Sequence, residues 1–227
     1  DRRQRQMCIR DRPTGLYTFH ELKKQLPAFI SHGMEGAVLL FDVDRLQRIN
    51  DILGYLVGDE VLQRLGQKCQ SLEGVISYRG PGGKFYCITT EKSENALDRI
   101  YKEMQKFSVE VPREMNLEIQ LTISCGVAFF PQDAEDFETL HANVEYALEQ
   151  AKKVGRGSIA QFSGQMHRKT VEKFRLQEVL RESVANNCRG FALVYQPLVN
   201  GETQDVYGAE TCLLYTSPSP RDRSVSR

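Results

Sequence analysis

Apolar residues along this chain follow two rhythms that alternate from one segment to the next. "FHELKKQLPAFIS", from Phe19, repeats them every three or four residues, which predicts an amphipathic helix with Pro27 as a candidate kink. "EGAVLLFDVD" instead packs five apolar residues together before two alternating acids, the pattern of a buried strand with a polar end. From Asp59 onward, Val61, Leu62, Leu65 and Cys69 share one helical face, and Asp59 suits an N-cap or first turn. "GVISYR" and "KFYCITT" read as two strands of a hairpin around a Gly/Pro loop. "SENALDRIYKEMQKF" predicts a helix capped by Ser93, and "LEIQLTISCGVAFF" a strand. "DFETLHANVEYALEQAKKVG" predicts a long helix closed by Gly155, and "SIAQF" a last short strand. Such alternation, with one hairpin, predicts an α/β (α+β) fold: a mixed central sheet flanked by helices.

Beyond this block, residues 165–187 read as a charged connecting helix. "GFALVYQPLVNGETQDVYGAE" follows as strand, turn, strand, too small to bury a core alone, and so reads as the start of a second domain. Neither end of the chain keeps an apolar period. Arg2–Asp11 and Cys212–Asp222 resemble translated arms of a transposase sequencing adapter, one read forward and one in reverse. Both ends are therefore set aside as scars. The resulting division is 1–12 adapter, 13–163 first domain, 164–188 connecting helix, 189–211 fragment of a second domain, and 212–227 adapter.

Setting the ends aside changes the charge. The whole chain balances 30 basic against 30 acidic residues, but Pro13–Thr211 holds 22 basic and 27 acidic, a net charge of −5. A mildly acidic domain is a poor nonspecific nucleic-acid binder, so no nucleic-acid partner is expected. The 41% apolar content suffices for a core, and no run approaches the roughly 20 apolar residues of a membrane helix. Cys69, Cys87, Cys125 and Cys188 show no CxxC spacing, which suggests buried thiols in a reducing cytoplasm.

Four stretches carry candidate chemistry. Asp42 and Asp44 alternate at a strand end, where they could hold a hard cation such as Mg²⁺ or serve as caps. Asn50 and Asp59 offer an amide and a carboxylate that could read a purine edge, with Gly54 and Gly58 permitting a tight loop between them. "RGPGGKF" is either a phosphate cradle or a hairpin turn. Lys152 and Arg156, four residues apart near a helix end, could bind phosphate or offset the helix dipole.

Together, "PTGL", "FDVDRLQRIND", "GYLVGDEVL", the hairpin, "TISCGVA" and "EYALEQAKKVGRG" resemble, in order and spacing, the GGDEF domain, the diguanylate cyclase module that joins two GTP into cyclic di-GMP. "FALVYQPLVNGETQDVYGAE" resembles the start of an EAL domain, the cyclic di-GMP phosphodiesterase that commonly follows it. The first resemblance implies Asp42 and the Val43 backbone carbonyl as Mg²⁺ ligands, Asn50 and Asp59 as the guanine pair, and Lys152 and Arg156 on the triphosphate. The second implies Glu210 as a metal ligand of an incomplete site. The family writes Arg-x-Gly-Gly-Asp/Glu-Glu-Phe at its hairpin; aligning Arg79 and Phe85 puts Gly83 and Lys84 where the two acids belong. Gln47 and Tyr55 also replace a usual lysine and histidine.

The resemblance therefore implies a domain with a weakened Mg²⁺ site and no intact catalytic acids, binding GTP as a regulator of an attached phosphodiesterase. Lys84 could partly neutralise Asp42 or a phosphate. The alternatives are a dimerisation and signal-transmission module without nucleotide, and a weakly active cyclase. A homodimer is expected for the full-length protein, with any membrane attachment through a segment upstream.

Overall fold

The computed structural model describes residues 9–186, 188 and 191–215. They fall into two compact units divided between His167 and Arg168. The first contains β1 (Tyr17–Thr18), α1 (Phe19–Ser31), β2 (Gly36–Val43), α2 (Leu46–Leu53), α3 (Tyr55–Gln70), β3 (Val75–Arg79), β4 (Lys84–Thr89), α4 (Glu94–Glu114), β5 (Ile123–Phe130), α5 (Phe137–Val154) and β6 (Ile159–Gln161). Helix α6 (Gly164–Ala185) crosses the division.

The six strands form one sheet in the order β1-β3-β4-β2-β5-β6. β2 lies inside it, antiparallel to both β4 and β5, while β1–β3 and β5–β6 are parallel pairs. Both faces of β2 are covered, which is why its sequence reads as a continuous apolar run. Strand periodicity sends Ala37, Leu39, Phe41 and Val43 to one face, against Val61 and Leu65 of α3 and Ile100 and Met104 of α4. Val38 and Leu40 face the other way, against Leu22 and Leu26 of α1 and Val144 and Leu148 of α5. The result is a three-layer mixed α/β unit, as the alternating rhythms predict.

α5 approaches the sheet backbone to backbone. A Cβ on Gly126 would lie 2.4 Å from Leu148 N and Val144 O, so only glycine permits this packing. Asp136 caps the helix by accepting from Thr139 N at 2.8 Å, and Gly155 ends it. Ser93 likewise caps α4, accepting from Ala96 N at 3.3 Å.

Several boundaries differ from the sequence expectations. "LQRINDIL" forms a separate helix, α2, and α3 starts at Tyr55, four residues before Asp59. Asp59 therefore lies within α3 and caps nothing. Gly54, at φ 87°, makes the break between the two helices, whereas Gly58 is helical. α4 continues past Phe107 to Glu114, and β5 begins only at Ile123. Cys69, Cys87 and Cys125 are buried as expected, but Cys188 is exposed.

The second unit holds β7 (Phe191–Val199) and β8 (Val206–Tyr215), an antiparallel pair in register from Phe191↔Tyr215 to Val199↔Val206. It leaves apolar side chains exposed on both faces, Leu193 and Tyr195 on one and Val194 and Leu198 on the other. Some residues set aside as scars are ordered. Arg10 bridges to Tyr17 and donates to Gly15 O at 2.6 Å, and Cys212–Tyr215 extend β8. Residues 1–8 and 216–227 lie outside the described residues.

Candidate functional site

The chemistry gathers where β2 ends. Asp42 stands in register with Lys84 on β4 and Ser124 on β5, so these three side chains share a sheet face. The β3–β4 turn folds over this point: Gly83 is buried, and its carbonyl accepts from Val43 N at 3.2 Å. A Cβ at Gly83 would come to 3.3 Å from Asp42 Oδ1, Leu46 Cδ2 and Val43 Cβ. Arg79 holds the turn in shape. Its Nη1 donates to Gly80 O at 2.6 Å and Lys84 O at 2.8 Å, its Nη2 donates to the Gly82 carbonyl, and its guanidinium lies 4.6 Å from the Phe85 ring centroid. Burial lowers the Arg79 pKa, and the charges of Asp11, Asp42, Cys69 and Asp59 oppose it. The guanidinium remains protonated at neutral pH.

Two ion pairs cross between the sheet and α5. Lys84 Nζ donates to both carboxylate oxygens of Glu145, at 2.8 and 2.7 Å. Lys152 Nζ donates to Asp42 Oδ2. The expectation that Lys84 would neutralise Asp42 is thus corrected: its ammonium is held by Glu145, and Lys152 takes the aspartate. Tyr86 Oη also donates to Glu145 Oε1 at 3.1 Å and lies 3.0 Å from His141 Nε2. Burial pushes the Tyr86 phenol pKa up, and the Glu145 charge adds to the shift. Burial lowers the His141 pKa; Glu145 opposes that change and Lys84 reinforces it.

Asp44 has a structural occupation. It is 5% exposed, and its Oδ2 accepts from Thr122 Oγ1 at 2.9 Å, Ser124 Oγ at 2.8 Å and Gly157 N at 3.2 Å. Because Ser124 stands opposite Asp42, the two acids do share a face, as their alternation predicts. Asp44 Oδ1 is buried without a hydrogen-bond partner among the described residues.

Asn50 and Asp59 meet at the α2–α3 junction. Asn50 Oδ1 lies where a Cβ on Gly58 would be, 1.8 Å from it, which places the amide over the residue preceding Asp59. This oxygen also lacks a partner among the described residues. Asp59 is exposed and lines an open cavity of about 550 Å³ with Leu56, Gln63 and Arg64. Gly54 and Gly58 thus do not frame a loop between the pair; one separates two helices and the other makes room for an amide.

Lys152 and Arg156 do not share a helix face. α5 ends at Val154, so Arg156 lies past Gly155 and lines a different cavity, beside Arg45, Arg48 and Thr122. Glu210, on β8, is exposed opposite Gln196. The sequence reading missed Glu145, Arg45 and Arg48. Glu145 left a signal: it precedes Lys152 by seven residues, two helical turns, so both reach the same sheet face. Among the described residues, no group of three His, Cys, Asp or Glu could hold a metal ion. Nor is any helix among them long and apolar enough to cross a membrane.

The sequence profile of the family described as "Diguanylate cyclase, GGDEF domain" matches residues 9–158. The chain belongs to the GGDEF family. This GGDEF domain is similar to several curated proteins. The cyclic di-GMP phosphodiesterase NbdA of Pseudomonas aeruginosa is 28% identical over 95% of this chain and 28% of the relative. The bifunctional diguanylate cyclase/cyclic di-GMP phosphodiesterase MucR of the same species is 25% identical over 91% and 30%. The diguanylate cyclase VdcA of Vibrio cholerae is 26% identical over 66% and 45%. The chain thus spans less than half the length of each. Among solved structures, a diguanylate cyclase/phosphodiesterase of Caldicellulosiruptor saccharolyticus superposes with a TM-score of 0.60 at 19% identity, over 70% of this chain and 96% of the other. The GGDEF domain of DgcB from Caulobacter crescentus, with its coiled coil and bound c-di-GMP, gives 0.58 at 20% identity, over 70% and 88%. These two likenesses concern the fold.

Proposed function

We propose that this GGDEF domain binds a guanine nucleotide as a regulatory module of a cyclic di-GMP signalling protein and does not itself make cyclic di-GMP. The observation that carries the nucleotide reading is the orphaned Asn50 Oδ1 next to Asp59. A guanine edge presents two adjacent donors, N1–H and the exocyclic amine, and two acceptors are what it needs. An adenine edge offers a donor and an acceptor, and leaves one of the two carboxyl or amide oxygens unsatisfied.

The lack of cyclase activity follows from Gly83, Lys84 and the two crossing ion pairs. Diguanylate cyclases of the family would hold Mg²⁺ here, and the metal would draw off phosphate charge and activate the attacking hydroxyl. The donors present do not fit it. Gly83 has no side chain, Lys84 is a cation held by Glu145, and the Asp42 carboxylate already takes the Lys152 ammonium.

A phosphodiesterase as the attached module is supported by the extent of the likeness. NbdA matches 95% of the chain, beyond residue 158, where the GGDEF profile ends. Glu210 would then belong to a metal site completed by further chain. Calorimetric titration tests the nucleotide reading: GTP binds, Asp59→Ala weakens it at least tenfold, and ATP binds more weakly than GTP. No heat with millimolar GTP sinks it. Incubation with GTP and Mg²⁺ yields no cyclic di-GMP; accumulation of that product overturns the inactive assignment.

A further inference from the structure

Three buried thiols lie in the apolar cluster between the sheet and helices α3 and α4, and two of them share a hydroxyl. Cys69 is in the last turn of α3 and Cys87 is on β4, and both are 0% exposed. Ser77, the cross-strand partner of Cys87, touches both. Its Oγ donates to the Cys69 carbonyl at 3.1 Å and lies 3.5 Å from Cys87 Sγ. We propose that Cys69 and Cys87 form a redox-modification site, at which a hydroperoxide converts the two thiols into a disulfide that joins α3 to β4.

A cysteine buried among apolar side chains is ordinarily inert, because burial disfavours its thiolate. Here the surroundings favour charge on one of the two sulfurs. Hydrogen bonding with Cys69 lowers the Cys87 pKa; burial opposes that change and Ser77 adds to it. The same interaction with Cys87, followed by burial, raises the pKa of Cys69. The pair thus divides into one thiolate former and one thiol. Ser77 has a single hydroxyl proton, which turns from the Cys69 carbonyl to the Cys87 sulfur as that sulfur ionises. Cys125 belongs to the same cluster but is out of reach. β2 lies between β4 and β5, so the strands carrying Cys87 and Cys125 are about 10 Å apart, too far for a disulfide.

The Cys87 thiolate attacks one oxygen of hydrogen peroxide. An S–O bond forms, the O–O bond breaks, and the released hydroxide leaves as water with the proton that the thiol gave up. The Cys69 sulfur then attacks the sulfenic sulfur. The S–S bond forms, the S–O bond breaks, and hydroxide departs as water with the Cys69 proton. Two thiols and one peroxide become one disulfide and two waters, the sulfurs oxidised and the peroxide reduced. Only a small oxidant suits this place. A cavity of about 210 Å³ opens beside Lys68 and Ser71 at the end of α3, and Leu72 and Ile100, which line it, pack in the cluster that holds both thiols. Cys69 lies in the terminal turn of its helix, where local opening costs least, so peroxide enters there while a bulky disulfide stays out. The link closes a loop containing β3 and the turn held by Arg79, and so fastens the strand that carries Lys84 to the helix that carries Asp59.

The test exposes the native full chain to hydrogen peroxide, quenches it with N-ethylmaleimide and cuts it with trypsin without reduction. Peptides 69–79 and 85–92 are expected joined, lighter by two hydrogens than their sum, and separated by dithiothreitol. The oxidised chain melts at least about 5 °C above peroxide-treated Cys87→Ala, since the link closes a loop between positions 69 and 87. Cys125→Ala keeps the crosslink, and Cys69→Ala leaves Cys87 as a sulfenic acid that dimedone captures. Recovery of both peptides alkylated, under conditions that oxidise the exposed Cys188, overturns the site. So does a crosslink that forms only in concentrated urea, because the native fold then does not bring the sulfurs together. Should a replacement unfold the protein, the peptide map of the unaltered chain still decides.

Discussion

At the scale of single residues, charge placement decides what the β3–β4 hairpin can do. Lys84 and Glu145 are each about a quarter exposed, so water screens their attraction only in part. Glu145 also accepts from Tyr86, and removing it strands both an ammonium and a phenol. Restoring an acid at position 84 sets two carboxylates against each other. Lys84→Glu is expected to destabilise the fold by about 1–3 kcal/mol. Adding Glu145→Gln recovers most of that loss; equal melting temperatures for the single and double variants refute the pairing. The identities of Gly83 and Lys84 were legible in the chain once Arg79 and Phe85 were aligned. Their partners were not, because Glu145 lies 61 residues from Lys84 and Lys152 lies 110 from Asp42. Only the ladder register joins them, and register belongs to the folded sheet.

At the scale of elements, α5 is the part on which the site depends. It carries Glu145 and Lys152, and it sits on β5 through Gly126. Gly126→Ala drives a methyl into the α5 backbone and is expected to cost about 1–3 kcal/mol, a fall in Tm of about 2–4 °C for each. A thermal scan reads this directly, and an unchanged Tm shows that the helix can retreat without loss. The same helix carries the pH response. The folded-state pKa of His141 is lowered, chiefly by burial, so between that value and the unfolded one the unfolded chain binds more protons. Stability is therefore complete above about pH 6.5 and falls as the solution is acidified below it. His141→Gln removes this part of the slope; melts at pH 7.5 and 5.5 that differ equally in both proteins exclude it. Element types were readable from apolar period. The α2–α3 break was not, since "LQRINDILGYLVGDEVL" keeps helix-forming residues through Gly54, and only the positive φ there separates the two helices.

At the scale of the whole molecule, the fold was legible because the two rhythms report burial directly. Period-two residues of β2 divide between two layers, and the helices that cover them were each marked by their own apolar faces. What the pattern could not supply was the arrangement of polar groups across elements, such as the arginine-lined cavity. Arg45 and Arg48 look like solvated surface until Arg156 is folded beside them.

The β7–β8 pair has a colloidal consequence. A two-stranded sheet has nothing but edges, and here both carry apolar side chains, with Tyr195 64%, Tyr207 72% and Leu213 59% exposed. Such edges template addition of further chains, so turbidity is expected to grow steeply with protein concentration. Leu193→Glu with Tyr207→Lys places charge on the hairpin and suppresses that growth, while the melting of the six-stranded unit stays put. Unchanged light scattering in the double variant assigns the association elsewhere. Handling this protein at high concentration is then governed by its last two strands, whatever ligand the first unit holds.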